Sequence, residues 1–222
     1  MNVILSLDIS SVSTGWSVYT DNSLTAYGVI KLKSKTKHHG EKLLQLENSI
    51  VELVNKYRPT IFSFEDIWKG PSIKTYKILA LYHGIAYKAC FVHFRQDPIV
   101  LMPSNLRKIL AAKTTLVLSG KKEQDKKDVF AFMKTRYGLS DFEFEKHNDI
   151  TDAMAVGLAT YLLLEEHNGS IQSIRDSTRV VKRRDKKGVQ KTGVEVPSRP
   201  KSRKRRGRGK VQADQSSIPN AD

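Results

Sequence analysis

The stretch Val3-Ile4-Leu5-Ser6-Leu7-Asp8, followed by Ile9-Ser10-Ser11-Val12-Ser13-Thr14-Gly15-Trp16-Ser17-Val18-Tyr19, decides how the rest of the chain is read. A short apolar run ending in an aspartate reads as a buried strand that delivers an acid at its carboxyl end. A serine-rich turn follows, β character resumes at Gly15-Trp16-Ser17-Val18-Tyr19, and residues 24–32 form a third strand. Strands separated by turn-length segments predict an antiparallel meander.

Beyond this opening the period changes. Over 42–57 the apolar residues Leu43, Leu46, Ile50, Leu53 and Val54 are spaced as on one helix face, and Pro59 ends the run. Thr60-Ile61-Phe62-Ser63-Phe64-Glu65 is a short strand, again closing on an acid. A helix is predicted over 74–92, a strand over 99–102, and a helix from a Ser104 cap to about residue 111. After a basic loop come a helix over 126–137, closed by Gly138, and a last helix over 149–166. The predicted class is α/β, a mixed sheet with helices packed on its faces.

The 222 residues hold 38 Lys+Arg and 23 Asp+Glu, a formal charge of +15. From Ile171 onward there are 16 basic and 5 acidic residues, so most of the excess belongs to the tail. Residues 1–168 are read as one folded domain and 169–222 as a disordered basic tail, too poor in large apolar side chains to offset its ordering entropy. Such a tail fits a polyanionic partner, nucleic acid above all; a solvated or address-bearing tail is the alternative. No apolar run reaches the roughly 18 residues of a membrane span. The first residues lack a basic segment before the apolar one, so no secretory signal is expected. Cys90 is the single cysteine, which excludes an internal disulfide and a thiolate zinc cluster and fits a reducing compartment.

Four acids stand out by position: Asp8 and Glu65 at strand ends, Asp149 and Asp152 three apart near the start of the last helix. Ligands of open sheets gather beyond the carboxyl ends of the strands. Carboxylates brought together there repel one another unless cations lie among them, and such hard oxygen donors suit Mg²⁺ or Mn²⁺. Two ions of this kind, roughly 3.5–4 Å apart, are the equipment of phosphodiester hydrolysis. Each acid also has a plainer reading. Asp149 and Asp152 can serve the helix start as cap or dipole partner, Asp8 can open a turn with Ser10 and Ser11, and Asp66 rivals Glu65.

These runs resemble the RuvC-like Holliday junction resolvases. Ile4-Leu5-Ser6-Leu7-Asp8 with the turn into Thr14-Gly15-Trp16 is similar to the phage-type branch, and Phe62-Ser63-Phe64-Glu65-Asp66 continues the match. Asn148-Asp149-Ile150-Thr151-Asp152-Ala153-Met154-Ala155 is similar to the family's closing acid-x-x-acid-Ala helix and is the most specific of the three. The resemblance covers about residues 2–166 and implies an RNase H-like fold. It also implies a homodimeric, Mg²⁺-dependent endodeoxyribonuclease that cuts four-way DNA junctions by paired nicks. By motif position Asp8 would be the shared metal ligand, with Glu65, Asp149 and Asp152 completing the site. Ile9-Ser10 stands where many cellular members have Pro-Gly, and the run from Asp66 to Pro71 matches no signature of the family. The long basic tail is foreign to cellular resolvases and points to a viral or otherwise divergent member. The expected location is the cytoplasm, that of the host if a phage encodes the chain, or the nucleus in a nucleated host.

Arg107, Lys108, Lys113, Lys121, Lys122, Lys126 and Lys127 flank the loop between two late helices. The resemblance places Lys126 or Lys127 close to the scissile backbone, where a cation stabilises developing charge. Arg107, Lys113, Lys121, Lys122, Lys69 and Trp68 are the expected DNA contacts. Trp68 and Tyr76 either stack on exposed bases or pack in the core. His147 is either a neighbour of the metal or a bystander. Two other functions fit parts of the pattern: a non-catalytic nucleic-acid binder of the same fold, and an actin-like or sugar-kinase-like phosphotransferase, which normally needs two such lobes.

Overall fold

The computed structural model describes residues 1–33, 38–67 and 72–180. Trp68 and Lys69 lie outside the described residues, as does the basic tail beyond 180. Strands β1 (Val3–Asp8), β2 (Ser13–Thr20) and β3 (Ser23–Lys31) form the meander. They are followed by α1 (His39–Tyr57), β4 (Ile61–Glu65), α2 (Ile73–Phe94) and β5 (Ile99–Leu101). The helices α3 (Pro103–Lys113), α4 (Lys122–Arg136), α5 (Phe144–Glu166) and α6 (Ile171–Val180) complete the order. The five-stranded sheet runs β3-β2-β1-β4-β5. Strand β2 is antiparallel to both β1 and β3, whereas β4 lies parallel to β1 and β5 parallel to β4. The predicted mixed sheet is present.

Side chains of a strand alternate between faces, so β1 divides cleanly. Leu5 and Leu7 join Phe62 and Phe64 of β4 in a core with α1 and α2. Ile4 and Ile61 turn the other way and join α3, α4 and α5. Most of α5 is buried around its whole circumference from Ile150 to Thr160, which is why its sequence shows no clean apolar stripe.

Helix starts differ from the expectation: α1 begins at His39 rather than 42, α2 at Ile73 rather than 74, and the later helices differ as well. Helix α3 begins at Pro103, with Met102 in the cap position, so Ser104 is not the cap; proline suits the first turn because its missing N–H is unbonded there anyway. Helix α4 begins at Lys122 rather than 126, and α5 at Phe144 rather than 149. The early turn of α5 is held by Phe144 edge-on to Phe130 at 5.4 Å, a long-range contact that local periodicity does not carry. Asp149 and Asp152 therefore lie inside the helix, and neither caps it.

The segment after 168 also needs correcting at its start. Gly169, at φ +77°, turns the chain out of α5, and Ile171–Val180 then forms a helix where disorder was expected. Ile174 is fully buried, and α6 packs on β5 and α5. Averaging composition over a long basic stretch hides one such anchor. No helix among the described residues is long and apolar enough to cross a membrane.

Candidate active site

The register of the central strands brings the first two acids together. Ser6 pairs with Ser63 and Leu7 with Phe64 on the parallel ladder, so the next step sets Asp8 beside Glu65. Adjacent strands are roughly 4.8 Å apart. Both carboxylates face the α5 side, continuing Ile4-Ser6 and Ile61-Ser63 along the same face. Asp149 and Asp152 arrive from α5, one helical turn apart.

Small residues let α5 come this close. The hydroxyls of Ser6 and Ser17 are 2.6 Å apart, and both donate toward the Ala153 carbonyl at 3.0 and 3.1 Å. At Gly15 a Cβ would lie 1.8 Å from the Asp149 carbonyl oxygen, so only glycine allows this approach. Gly157 is confined too, though less tightly, its would-be Cβ 2.6 Å from the Tyr19 ring. The Ser13 hydroxyl then donates to the Asp149 carboxylate. Thr14-Gly15-Trp16 thus has a physical reason: its glycine sets the height at which the last helix carries its acids over the sheet.

The electrostatics follow from this crowding. Burial, then repulsion from Asp152, Glu65 and Asp149, raises the Asp8 carboxyl well above its ordinary range, with Lys126 opposing. Glu65 is pushed up to about 7 by burial and by Asp152, against Arg107 and Lys126. Burial also raises Asp152, against the pull of Lys126. Burial works against the Lys126 ammonium, yet Asp152, Asp8 and Asp149 outweigh it and its pKa ends raised. Lys126 Nζ sits 2.9 Å from Asp152 Oδ2. One ammonium therefore lies within the field of all four acids.

The acid centre opens into a cavity of about 430 Å³ that Arg107, Lys126, Asp66, Tyr76 and His83 also line. The other candidates fall elsewhere. Lys127 lies 5.9 Å from the centroid of the Phe144 ring, although it neighbours Lys126, because adjacent helical residues point apart. Lys113 is ion-paired to Glu166 at 3.1 Å, toward the far end of α5. Lys121 and Lys122 are exposed at the start of α4, the latter one turn before Lys126. His147 stacks on Phe142 and accepts at Nδ1 from the Glu143 backbone N–H, so it serves the start of α5. His83 and Ser13 are the residues that sequence reasoning missed; a histidine inside an amphipathic helix and a serine in a turn carry no local mark of what they face.

Four oxygen donors with a shared excess of negative charge are the donor chemistry of a hard divalent cation. Among the described residues no three such side chains converge tightly enough to enclose an ion as they stand. Lys126, with Arg107, offsets part of that charge. The residues fit the group in kind, as a cluster of carboxylate oxygens.

A family model described as crossover junction endodeoxyribonuclease RuvC matches residues 4–160. The chain belongs to the RuvC family. Membership makes it a structure-selective, junction-resolving nuclease by class, and divalent-metal dependence is general to RuvC-like resolvases. The fold agrees with that placement. RuvC of Thermus thermophilus superposes with a TM-score of 0.59 at 16% identity, covering 74% of this chain and 96% of that one. The T. thermophilus RuvC solved in complex with Holliday junction substrate gives 0.58 at 17% identity, covering 76% and 98%. No curated relative matches the chain in sequence.

Proposed function

We propose that Asp8, Glu65, Asp149 and Asp152 hold two divalent ions, Mg²⁺ or Mn²⁺, and that this centre hydrolyses phosphodiesters of four-way junctions and other branched DNA. One observation carries the reading: acids from β1, β4 and α5 meet at the carboxyl end of the sheet around a single lysine. When bound, the ions supply Lewis acidity and a water activated at neutral pH. The chain's own residues do the rest. Ser13 keeps the Asp149 carboxylate turned to the sheet, and Gly15 keeps its helix close. Arg107 and Lys126 border the acids from α3 and α4, where they neutralise the phosphate being cleaved. Lys121 and Lys122 offer sequence-independent contacts to the backbone further out.

A second copy of the chain completes the paired-nick mechanism. The outer face of α2 exposes Ile73, Leu81, Phe91 and Val92. Gly84 lies among them with open space beyond its Cα. Exposed apolar side chains on that face, interrupted by Lys77 and Lys88, with a glycine among them, suit a helix crossing its own symmetry mate. The place of action is where that DNA is, the cytoplasm of a host or the nucleus of a nucleated cell.

The test is a panel of junction, fork, flap and linear DNA at matched salt with Mg²⁺, cleavage positions mapped. Symmetric nicks in the junction support the proposal, and equal cutting of linear duplex contradicts it. Sedimentation of Phe91→Glu beside the parent chain checks the dimer: the parent should sediment as two copies and the variant as one.

A further inference from the structure

The turn between β1 and β2 is tied down from Ser10 to Ser13, and one of its side chains reaches the acids. Ser10 Oγ accepts from the Ser13 N–H at 3.0 Å and from the Val12 N–H at 3.2 Å, and it donates to the Ser13 carbonyl. The hydrogen-bonding capacity of that hydroxyl is used up inside the turn. From outside, Lys42 Nζ of α1 donates to the Ser11 carbonyl at 3.1 Å, and the Leu32 N–H donates to the Val12 carbonyl at 2.8 Å. Ser13 itself pairs with Lys31 of β3.

From this pinned turn the Ser13 hydroxyl donates to Asp149 Oδ2, 136 positions away. Two residues on, Gly15 receives the Asp149 backbone. Asp149 is therefore set twice by one short stretch of chain, its main chain by Gly15 and one carboxylate oxygen by Ser13. Asp152 differs. Its partner is Lys126, a point charge on a long, rotatable stem. Only Asp149 is held by a short side chain whose own backbone is fixed. With Oδ2 committed to the turn, Oδ1 is the oxygen left for a cation.

That restraint bears on which ion fits. Mg²⁺ demands near-ideal octahedral geometry, binds through few carboxylates and keeps several waters, whereas Ca²⁺ takes about 6–8 oxygens and often both from one carboxylate. We propose that Ser10 and Ser13 are positioning residues: Ser10 fixes the turn, Ser13 fixes Asp149 as a one-oxygen ligand, and the acid centre thereby favours Mg²⁺ over Ca²⁺. The proposal rests on the reading that these acids hold divalent ions. Neither serine touches the ion; each acts through Asp149. Without the tether the carboxylate is free to turn both oxygens to the larger ion, and the centre loses the distinction.

The experiment uses the full chain, stripped with chelator and without DNA. Bound Mn²⁺, followed through the electron paramagnetic resonance of the free ion, is displaced by Mg²⁺ or by Ca²⁺. Parent, Ser13→Ala, Ser10→Ala, Ser13→Thr and Asp8→Asn proteins are compared, with melting curves to confirm that each is folded. Both alanine variants should lose about tenfold in Mg²⁺ affinity, the scale on which a partner that orients a ligand acts, while Ca²⁺ affinity changes little. Ser13→Thr keeps a hydroxyl and should keep the parental ratio of the two affinities. Equal weakening of both ions in Ser13→Ala, a parental ratio in Ser10→Ala, or a threonine variant that behaves as the alanine one overturns the proposal. Asp8→Asn should weaken every ion. If it leaves Mn²⁺ binding intact, the reading of the acids as one shared centre fails, whereas a ratio that still moves in Ser13→Ala keeps the tether. If it abolishes binding and the ratio never moves, the tether alone fails. A parent chain that binds no Mn²⁺ overturns both.

Discussion

The two faces of the sheet use the same strands for different ends. Toward α1 and α2, β1 and β4 present Val3, Leu5, Leu7, Phe62 and Phe64, all buried. Toward α5 the same strands present Ile4-Ser6-Asp8 and Ile61-Ser63-Glu65, grading from aliphatic to hydroxyl to carboxylate. The first face is an apolar core that stabilises the fold. The second gives up part of that apolar area: its small residues let α5 approach, and its acids lie where the helix adds two more. Stability and chemistry are thus separated across the thickness of one sheet.

Substitutions on the two faces should separate in the same way, and the largest effect belongs to the acid face. Asp8→Asn is expected to bring junction cleavage in Mg²⁺ below detection while junction binding, measured by gel shift, persists or tightens. Cleavage at the parent rate would remove Asp8 from the reaction. On the apolar face, Phe62→Ala should cost about 3–5 kcal/mol in denaturant unfolding. Its cut positions should stay unchanged in the fraction that remains folded. A shifted cleavage pattern would show that the faces are not independent.

The next effect is a dependence on pH. Glu65 holds its proton to about 7 in the fold against an ordinary value of 4.5, and Asp8 is raised as well. Between those values the folded chain binds more protons than the unfolded one, so stability falls as pH rises from about 4.5 to about 7. For Glu65 alone the loss is on the order of 3 kcal/mol. Thermal melting in chelator should show the decline, Glu65→Gln should flatten it, and a divalent cation should restore stability more at pH 7 than at pH 5. A pH-independent melting temperature would contradict the crowding of the acids.

The smallest effect tests the middle of the acid face. The Ser63 hydroxyl is buried and has no hydrogen-bond partner among the described residues. Because a buried unpaired group is unfavourable, Ser63→Ala should stabilise the protein by about 1 kcal/mol in the same unfolding assay. A clear destabilisation would mean that this hydroxyl has a partner, and that the face is tuned more finely than the gradient suggests.

Much of this was legible in residue order. Strong local patterns marked β1, β2, β4 and the class of the fold, because period and end residues are properties of neighbours in sequence. The four acids were legible for the same reason, each standing at the end of an apolar run or in the acid-x-x-acid spacing. Helix starts were less so: α5 gains its first turn from Phe144 on Phe130, and α6 exists because Ile174 finds a buried seat. Lysine identity was a matter of degrees. Lys126 and Lys127 are neighbours in the chain, but about 100° apart around a helix, so one meets Asp152 and the other Phe144.

The order of residues by itself determined which strands form, that acids end two of them, and that a glycine follows the serine-rich turn. Only the tertiary structure decided that Gly15 receives the Asp149 backbone, that Lys126 stands among all four carboxylates, and that His83 turns toward the same cavity. The reason is geometric. Pattern and propensity act over a few residues, whereas contact between side chains more than a hundred positions apart depends on how closely two packed surfaces approach.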